Sequence, residues 1–213
     1  MNELASAVAP EQAGEIWIVD DDRQVLEYLV HVVGALGYRA RGFQDPRALL
    51  SASSAPQPGC LIVDWRLAGQ DGIEIIQQCK QQWPDTPALL ISGHVTVPVT
   101  VAAMRQGAAG VLEKPIRPGD LERELAWVVN KARDRSALCA ECSAARQKID
   151  TLNELERSIL TLLVDGTPNK NIATYTKLAI RTVEKYRRLV FDKLAVDSAA
   201  EATRVWVLAN LDE

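Results

Sequence analysis

The sequence has few cysteines and no long apolar run. Its four cysteines, Cys60, Cys79, Cys139 and Cys142, are too few and too unevenly spread for a disulfide framework in 213 residues. Reduced thiols are therefore the default expectation. No run approaches the roughly 18 apolar residues that span a bilayer, and residues 1–15 lack the basic start and apolar core of a signal peptide. We therefore expect a cytoplasmic protein with no membrane partner.

The sequence also has little net charge, but its charged residues are unevenly distributed. The formal net charge is -4, which argues against a basic protein that coats nucleic acid. Residues 151–213 carry nine basic and nine acidic residues, yet the stretch 169–193 within them carries seven basic and two acidic ones. That local excess of positive charge marks where an acidic polymer would bind.

The first part of the chain alternates short apolar runs with helical patterns. This alternation extends from Glu15 to about Lys131 and predicts a parallel sheet with helices on both faces. Three of the runs are almost uniformly apolar, as strands that are covered on both sides must be. We expect a doubly wound, flavodoxin-like α/β domain with five strands, at 16–20, 38–43, 60–64, 88–92 and 109–113.

The rest of the chain is predicted to be helical. An uninterrupted helical pattern from Gly119 to about Asp150 indicates a linker helix, for which a weak coiled coil and a solvated connector are equal alternatives. Asn153 and Glu156 then form a capping box that begins a helix ending at Gly166. Further helices are predicted at 169–176, from 180 to about 194, and at 199–209. Four short helices suit a small all-α helix-turn-helix domain.

Acidic residues lie where two of the predicted strands end. Asp20 and Asp21 follow the first strand and Asp64 ends the third, so their carboxylates should converge at one edge of the sheet. A hard divalent cation such as Mg2+ relieves the repulsion between them, and a carboxylate beside it can attack phosphorus. Ser92 and Lys114, at the ends of the fourth and fifth strands, can hold phosphoryl oxygens. The alternative is a set of unrelated solvated loop residues, which such convergence makes improbable.

These motifs resemble the receiver domains of response regulators of the FixJ and NarL type. The resemblance covers 15–131 and rests on IVDDD (18–22), LIVDWRLAGQDG (61–72), ISGHVTVPVTVAAMRQGA (91–108) and LEKPI (112–116). It implies that Asp64 is the phosphoacceptor and that Asp20, Asp21, Asp64 and the backbone carbonyl of Arg66 bind Mg2+. It also implies two catalytic partners of Asp64, the switch hydroxyl of Ser92 and the phosphate-binding Lys114.

Two residues depart from the receiver pattern. Ala68 stands where proline is usual, and Val111 stands where an aromatic residue usually rotates inward, which puts the aromatic half of the switch in doubt. Aspartyl-phosphate hydrolases of the haloacid dehalogenase type also carry an Asp after an apolar strand. They need a second Asp two residues later as acid and base, and Arg66 occupies that position here. We therefore expect a protein that is not an enzyme.

Residues 152–194 resemble the LuxR-type helix-turn-helix. The shared motifs are a glycine after the first helix, Asn-Lys-x-Ile-Ala and Arg-Thr-Val-Glu. On the helix from Ile180, the residues Val183, Val190 and Leu194 recur at helical spacing and should face the core. The opposite stripe is predicted to enter the major groove, where basic residues pair with guanine and Glu184 with cytosine. That stripe consists of Arg181, Glu184, Lys185 and Arg188.

The resemblance further implies that Lys170 and Thr182 contact phosphates. The alternative interpretation of the stripe is a solvated, charged helix face. Ala179 replaces the usual serine N-cap, at a cost of roughly 0.5–2 kcal/mol to the helix, and Tyr186 replaces a common histidine. Cys139 and Cys142 could form half of a metal or redox site, but without a second pair they are better explained as packing residues.

Together, the two resemblances imply a two-component response regulator. A sensor histidine kinase would phosphorylate Asp64, and this would control binding to operator DNA with paired half-sites. The face around the fourth helix, fifth strand and fifth helix would then either release the DNA-binding domain or form a homodimer. The alternative is a phosphorylation-independent DNA-binding regulator with an atypical receiver switch. Four segments are expected: a flexible N-terminal tail at 1–14, a receiver at 15–131, a linker helix at 132–150 and a DNA-binding domain at 151–213.

Overall fold

The computed structural model describes residues 14–52 and 56–211. The chain divides into two compact units, Met1–Asp134 and Arg135–Glu213. The segment expected to form an N-terminal tail lies outside the described residues, apart from Gly14. Across the described ranges, none of the helices has the length and apolar character needed to cross a membrane.

A parallel sheet forms the centre of the first unit. Its strands are β1 (Glu15–Val19), β2 (Arg39–Phe43), β3 (Cys60–Asp64), β6 (Ala88–Ser92) and β7 (Gly110–Glu113), and a short antiparallel pair, β4 (Arg66–Leu67) and β5 (Gln70–Asp71), follows β3. The strand order is β2-β1-β3-β6-β7, which is that of a doubly wound flavodoxin-like sheet. The five predicted strands are confirmed to within one residue at each end. The direction in which successive strands are added reverses between β1 and β3, and ligands bind at this point in such sheets.

Helices cover both faces of this sheet. Alternate residues of β1 enter different cores, because successive side chains of a strand point to opposite faces. Ile16 and Ile18 belong to one core, and Trp17 and Val19 belong to the other. Both faces are therefore apolar, and polar groups that act together must lie at the edge of the sheet. The helices are α1 (Arg23–Ala35), α2 (Pro46–Leu50), α3 (Gly72–Gln82), α4 (Val97–Arg105) and α5 (Pro118–Asp150).

The helix α4 is weakly anchored. Ala103 is its one buried residue, and the large side chains of Val97, Val101 and Met104 are 78%, 44% and 49% exposed. Burial of apolar surface is the main source of packing stability for a helix, so α4 has little to hold it in one position.

The helix α5 is continuous over 33 residues, as the sequence predicts. Leu121, Leu125 and Val128 are buried in the first unit, and Cys142 is buried in the second. Between them, residues 133–141 are all exposed. The guanidinium of Arg146, within the second unit, donates hydrogen bonds to the carbonyl oxygens of residues 209 and 211, at 3.1 and 2.8 Å. These bonds satisfy carbonyl groups at the end of the last helix.

In the described part of the second unit, all regular secondary structure is helical. Asn153 Oδ1 accepts from the N–H of Glu156 at 2.9 Å, and Glu156 Oε2 accepts from the N–H of Asn153 at 2.9 Å, so the predicted capping box is confirmed. Ile159, Ile172 and Val183 form one small core, and a second core surrounds Leu160 and its neighbours. The helices that follow the end of α5 are α6 (Glu154–Val164), α7 (Asn169–Thr176), α8 (Ile180–Leu194) and α9 (Ala199–Ala209).

Two residues other than glycine adopt a left-handed backbone conformation in the described ranges. Lys177 ends α7 with φ of 56°, and Ala195 ends α8 with φ of 53°. Glycine is the usual residue at such a cap, because a Cβ atom costs about 1–2 kcal/mol there. Each of these two residues therefore lowers the stability of the second unit relative to glycine.

A buried carboxylate joins the start of α6 to the end of α8. Glu156 is 3% exposed, and its Oε2 lies 2.6 Å from the ammonium of Lys193. Burial by itself raises the pKa of Glu156. The hydrogen bonds from Lys193 and from the Asn153 N–H, together with the Lys193 charge, outweigh burial and bring the pKa below its ordinary value of 4.5.

We predict that this ion pair makes the second unit sensitive to acid. Because the folded-state pKa is lowered, the stabilisation is complete above pH 4.5 and is lost as the pH falls through the folded-state value. Glu156→Gln should lower the free energy of unfolding by about 2 kcal/mol at neutral pH and flatten its acid dependence. Urea unfolding at several pH values measures both, with the exposed Glu154→Gln in the same turn as a control. Equal acid dependence in the two variants would contradict the assignment.

Candidate functional site

Three carboxylates meet at the carboxyl edge of the sheet. Asp20 and Asp21 directly follow β1, and Asp64 is the last residue of the neighbouring β3. Carboxylate oxygens of the three lie within 4.8 Å of one another. Asp20 and Asp64 are 1% and 6% exposed, whereas Asp21 is open to solvent. The predicted convergence of these acids is therefore present in the structure.

Lys114 lies between the two buried carboxylates. Its Nζ is 2.8 Å from Asp20 Oδ2 and 2.6 Å from Asp64 Oδ1. The other oxygens accept from the backbone, with the Asp22 N–H 3.0 Å from Asp20 Oδ1 and the Arg66 N–H 2.9 Å from Asp64 Oδ2. Every oxygen of the two buried carboxylates is thus hydrogen-bonded, which is what their burial requires.

The charge of Lys114 does not balance the site. Burial raises the pKa of Asp20, the Asp64 carboxylate adds to this effect, and together they exceed the opposite influence of Lys114 and the Asp22 N–H. Burial also acts to lower the pKa of Lys114, but its hydrogen bonds to Asp20 and Asp64 and their charges raise it above the ordinary value. One firmly protonated ammonium therefore faces three carboxylates, and negative charge remains in excess.

This donor set fits a hard divalent cation. The ligands available are carboxylate oxygens, which Mg2+ prefers, and the excess negative charge is what a divalent cation would neutralise. Asp20, Asp21 and Asp64 could hold it directly. Arg66 begins β4 two residues after Asp64, so its carbonyl oxygen stays a predicted ligand.

The Ser92 hydroxyl lies at the end of β6, next to β3 in the sheet. It is buried, donates to the carbonyl oxygen of His94 at 2.9 Å and accepts from the N–H of His94 at 3.0 Å. The Lys114 N–H donates to the Ser92 carbonyl oxygen at 2.7 Å, which ties the two strand ends together. The hydroxyl is thus engaged by its own loop in this conformation.

A pocket of about 470 Å³ opens in front of Asp64. Gly72, at the start of α3, closes the other side of the Asp64 backbone, because a Cβ atom on Gly72 would lie 2.0 Å from the Asp64 carbonyl oxygen. Trp65, Gly93 and His94 were not among the predicted site residues, although each lies within two residues of one. The pocket is lined by Asp64, Trp65, Arg66, Gly93, His94 and Lys114.

The second unit presents the predicted charged stripe on α8. Val183, Val190 and Leu194 are buried, which confirms the core face. Lys170 on α7 is exposed, Thr182 is half-buried, and Ala179 gives α8 no side-chain cap. The residues of the opposite stripe, Arg181, Glu184, Lys185 and Arg188, are all exposed.

The seven basic residues of 169–193 fall into two groups. The guanidinium of Arg187 donates to Asn169 Oδ1 and lies 5.8 Å from the ring centroid of Phe191, and Lys193 pairs with Glu156. Among the described residues, the other five have no side-chain hydrogen bond or ion pair. Those five are Lys170, Lys177, Arg181, Lys185 and Arg188, and their charges are available to an external anion.

The chain matches two protein families. Residues 16–126 match the response regulator receiver domain, and residues 150–206 match the bacterial regulatory proteins of the luxR family. The transcriptional regulatory protein FixJ of Bradyrhizobium diazoefficiens is 31% identical over 93% of this chain and 97% of its own length. The response regulator protein TmoT of Ectopseudomonas mendocina is 29% identical over 92% and 89%, respectively.

Solved structures show the same architecture. The response regulator StyR superposes with a TM-score of 0.77 at 27% identity, covering 91% of this chain and 98% of StyR. Full-length FixJ from B. japonicum superposes with a TM-score of 0.59 at 30% identity, covering 94% and 98%. The expected fold classes, an α/β receiver and a helical LuxR-type domain, are confirmed. The chain therefore belongs to the two-component response regulators that control transcription, in which a receiver domain is followed by a LuxR-type DNA-binding domain.

Proposed function

We propose that Asp64 accepts a phosphoryl group from a sensor histidine kinase and thereby controls binding of α8 to DNA. The observation that carries this proposal is the arrangement of Asp20, Asp64 and Lys114, in which one ammonium bridges two buried carboxylates beside an open pocket. A phosphoryl group that entered this pocket would meet a nucleophile, a positive charge and candidate ligands for Mg2+.

In the proposed reaction, a carboxylate oxygen of Asp64 forms a bond to phosphorus. The bond from phosphorus to the kinase histidine breaks, and the imidazole nitrogen keeps the electron pair. Asp20, Asp21, Asp64 and the Arg66 carbonyl would hold Mg2+, and the metal would supply positive charge to the phosphoryl oxygens. Lys114 already contacts Asp64 and can bind a phosphoryl oxygen with a small shift.

The proposed switch is an exchange of partners by Ser92. To reach a phosphoryl oxygen, its hydroxyl must leave the paired hydrogen bonds with His94, which lies in the loop before α4. Because α4 buries little surface, it can follow that loop at low cost. The exposed Val97, Val101 and Met104 favour a homodimer of the phosphorylated receiver over simple release of the DNA-binding domain.

We further propose that the exposed stripe of α8 enters the major groove. The residues that would contact base edges are Arg181, Glu184, Lys185 and Arg188, and Lys170 and Thr182 would bind phosphates. The unpaired charges of this surface support the proposal over a solvated helix face. A homodimer would present two such helices to paired half-sites. We propose that the receiver spans 15–131, that the linker helix spans 132–150 and that the DNA-binding domain spans 151–213.

Two alternatives remain testable. A phosphorylation-independent regulator is favoured by Val111 on β7, a small side chain that cannot act as an aromatic switch. An aspartyl-phosphate hydrolase is disfavoured, because Arg66 provides neither acid nor base next to Asp64. We therefore propose a regulator without enzymatic turnover of its own.

We predict that the chain takes up one phosphoryl group from phosphoramidate and that uptake requires Mg2+. Asp64→Asn should abolish the mass increase, because the amide cannot form the acyl phosphate, whereas the exposed Asp85→Asn should not. Intact-mass spectrometry with and without EDTA measures this. Label retained in Asp64→Asn would move the site elsewhere, and no label in the native chain would favour the phosphorylation-independent alternative.

We predict that Lys170 and the α8 stripe affect DNA binding differently. Lys170→Ala should weaken binding to all duplexes alike and lower the log–log salt slope by about 0.9, because one phosphate contact is lost. Lys185→Ala or Arg188→Ala should instead reduce the difference in binding free energy between a selected operator and mixed-sequence DNA by about 1–3 kcal/mol. Anisotropy titrations over a salt series measure both effects, with Arg135→Ala on α5 as the charge control. An unchanged preference for the operator would exclude the stripe as the reading surface.

A further inference from the structure

We propose that Lys177, in the turn between α7 and α8, is an additional DNA contact whose ammonium binds a backbone phosphate beside the major groove. The inference rests on the proposed function of α8. Lys177 lies outside the motifs that led to the expected DNA-contacting residues, and its backbone conformation, exposure and position each support the assignment.

The backbone of Lys177 is left-handed, a conformation that suits glycine and disfavours any residue with a Cβ atom. Its N–H closes the last turn of α7 on the carbonyl oxygens of Ala173 and Thr174. A glycine would make the same backbone bonds without the steric cost. The lysine side chain therefore brings a cost that its own cap does not require.

The side chain of Lys177 gains no compensating hydrogen bond or ion pair from the part of the chain that the structure describes. It is exposed, and no described residue forms a hydrogen bond or ion pair with it. The large side chains beside it are also open to solvent, with Tyr175 69% and Ile180 46% exposed. A strained residue that pairs with none of the described side chains, close in sequence to exposed apolar groups, indicates a surface that binds something external.

Position and charge identify that ligand as a phosphate of duplex DNA. Lys177 precedes Ile180, the first residue of α8, by three residues, a span of at most about 11 Å. The N-terminal end of a recognition helix lies against the base edges, so the turn before it passes close to the strand that borders the groove. The unpaired Lys170 and Arg181 lie on either side of Lys177 in sequence and carry the same sign of charge.

Ala195 provides a matched control within the same unit. It too follows a helix with a left-handed backbone, at φ of 53°, but it carries no charge and lies at the far end of α8. Replacement of either residue by glycine relieves the same steric cost. Only the Lys177 replacement also removes an ammonium group.

The test uses the full chain with Mg2+ and phosphoramidate, and a labelled mixed-sequence duplex several helical turns long. Lys177→Gly should raise the melting temperature of the second unit by a few degrees, yet weaken DNA binding about three- to tenfold and lower the salt slope by about 0.9. Lys177→Gln should weaken binding equally without the thermal gain, and Lys177→Arg should bind as the native chain does. Ala195→Gly should gain thermal stability with unchanged DNA affinity.

The combination of higher stability and weaker binding is what a purely structural role cannot produce. Native affinity and salt slope in both Lys177→Gly and Lys177→Gln would overturn the contact. An equal loss of affinity in Ala195→Gly would overturn it too, since relief of backbone strain would then be the cause. If the native chain binds neither this duplex nor any selected operator, the proposed function of α8 itself fails, and this inference fails with it.

Discussion

Lys114 places one ammonium group between two buried carboxylates, and this contact links strand ends around which the first unit is organised. Asp20, Asp64 and Lys114 come from strands that are not consecutive in the chain, so they meet only if the sheet is wound in the observed order. The backbone bond from Lys114 to Ser92 adds a further strand end to the same network. A change of charge at Asp64 therefore alters the electrostatic interactions of groups at the ends of several strands.

Sequence patterns predicted the sheet and the acids at its edge, because apolar runs and strand-end carboxylates are local features. They did not predict β4 and β5, since two-residue strands have no detectable periodicity. They also could not give the orientation of the Ser92 hydroxyl, which depends on the path of the loop at His94. Differences of less than an ångström in atomic position decide which hydrogen bond a short polar side chain forms, and the spacing of residues along the chain does not contain that information.

The helical unit shows the same division. The capping box and the buried face of α8 were predictable because both rest on residues three, four or seven apart. The division of the basic residues into paired and unpaired ones was not predictable. Arg187 contacts Asn169 at a separation of 18 positions, and Lys193 contacts Glu156 at a separation of 37. The seven basic residues are equivalent in the sequence, but in the structure Arg187 and Lys193 hold α8 against α7 and α6.

Gly72 places a strict steric constraint on the end of β3 at Asp64. A methyl group at that position would overlap the carbonyl oxygen of Asp64, so the strand end and the first turn of α3 approach as closely as a hydrogen atom allows. Every substitution at Gly72 adds at least that methyl group. Geometry alone therefore restricts this position to glycine, and any change of sequence in α3 that keeps the present backbone has to leave it in place.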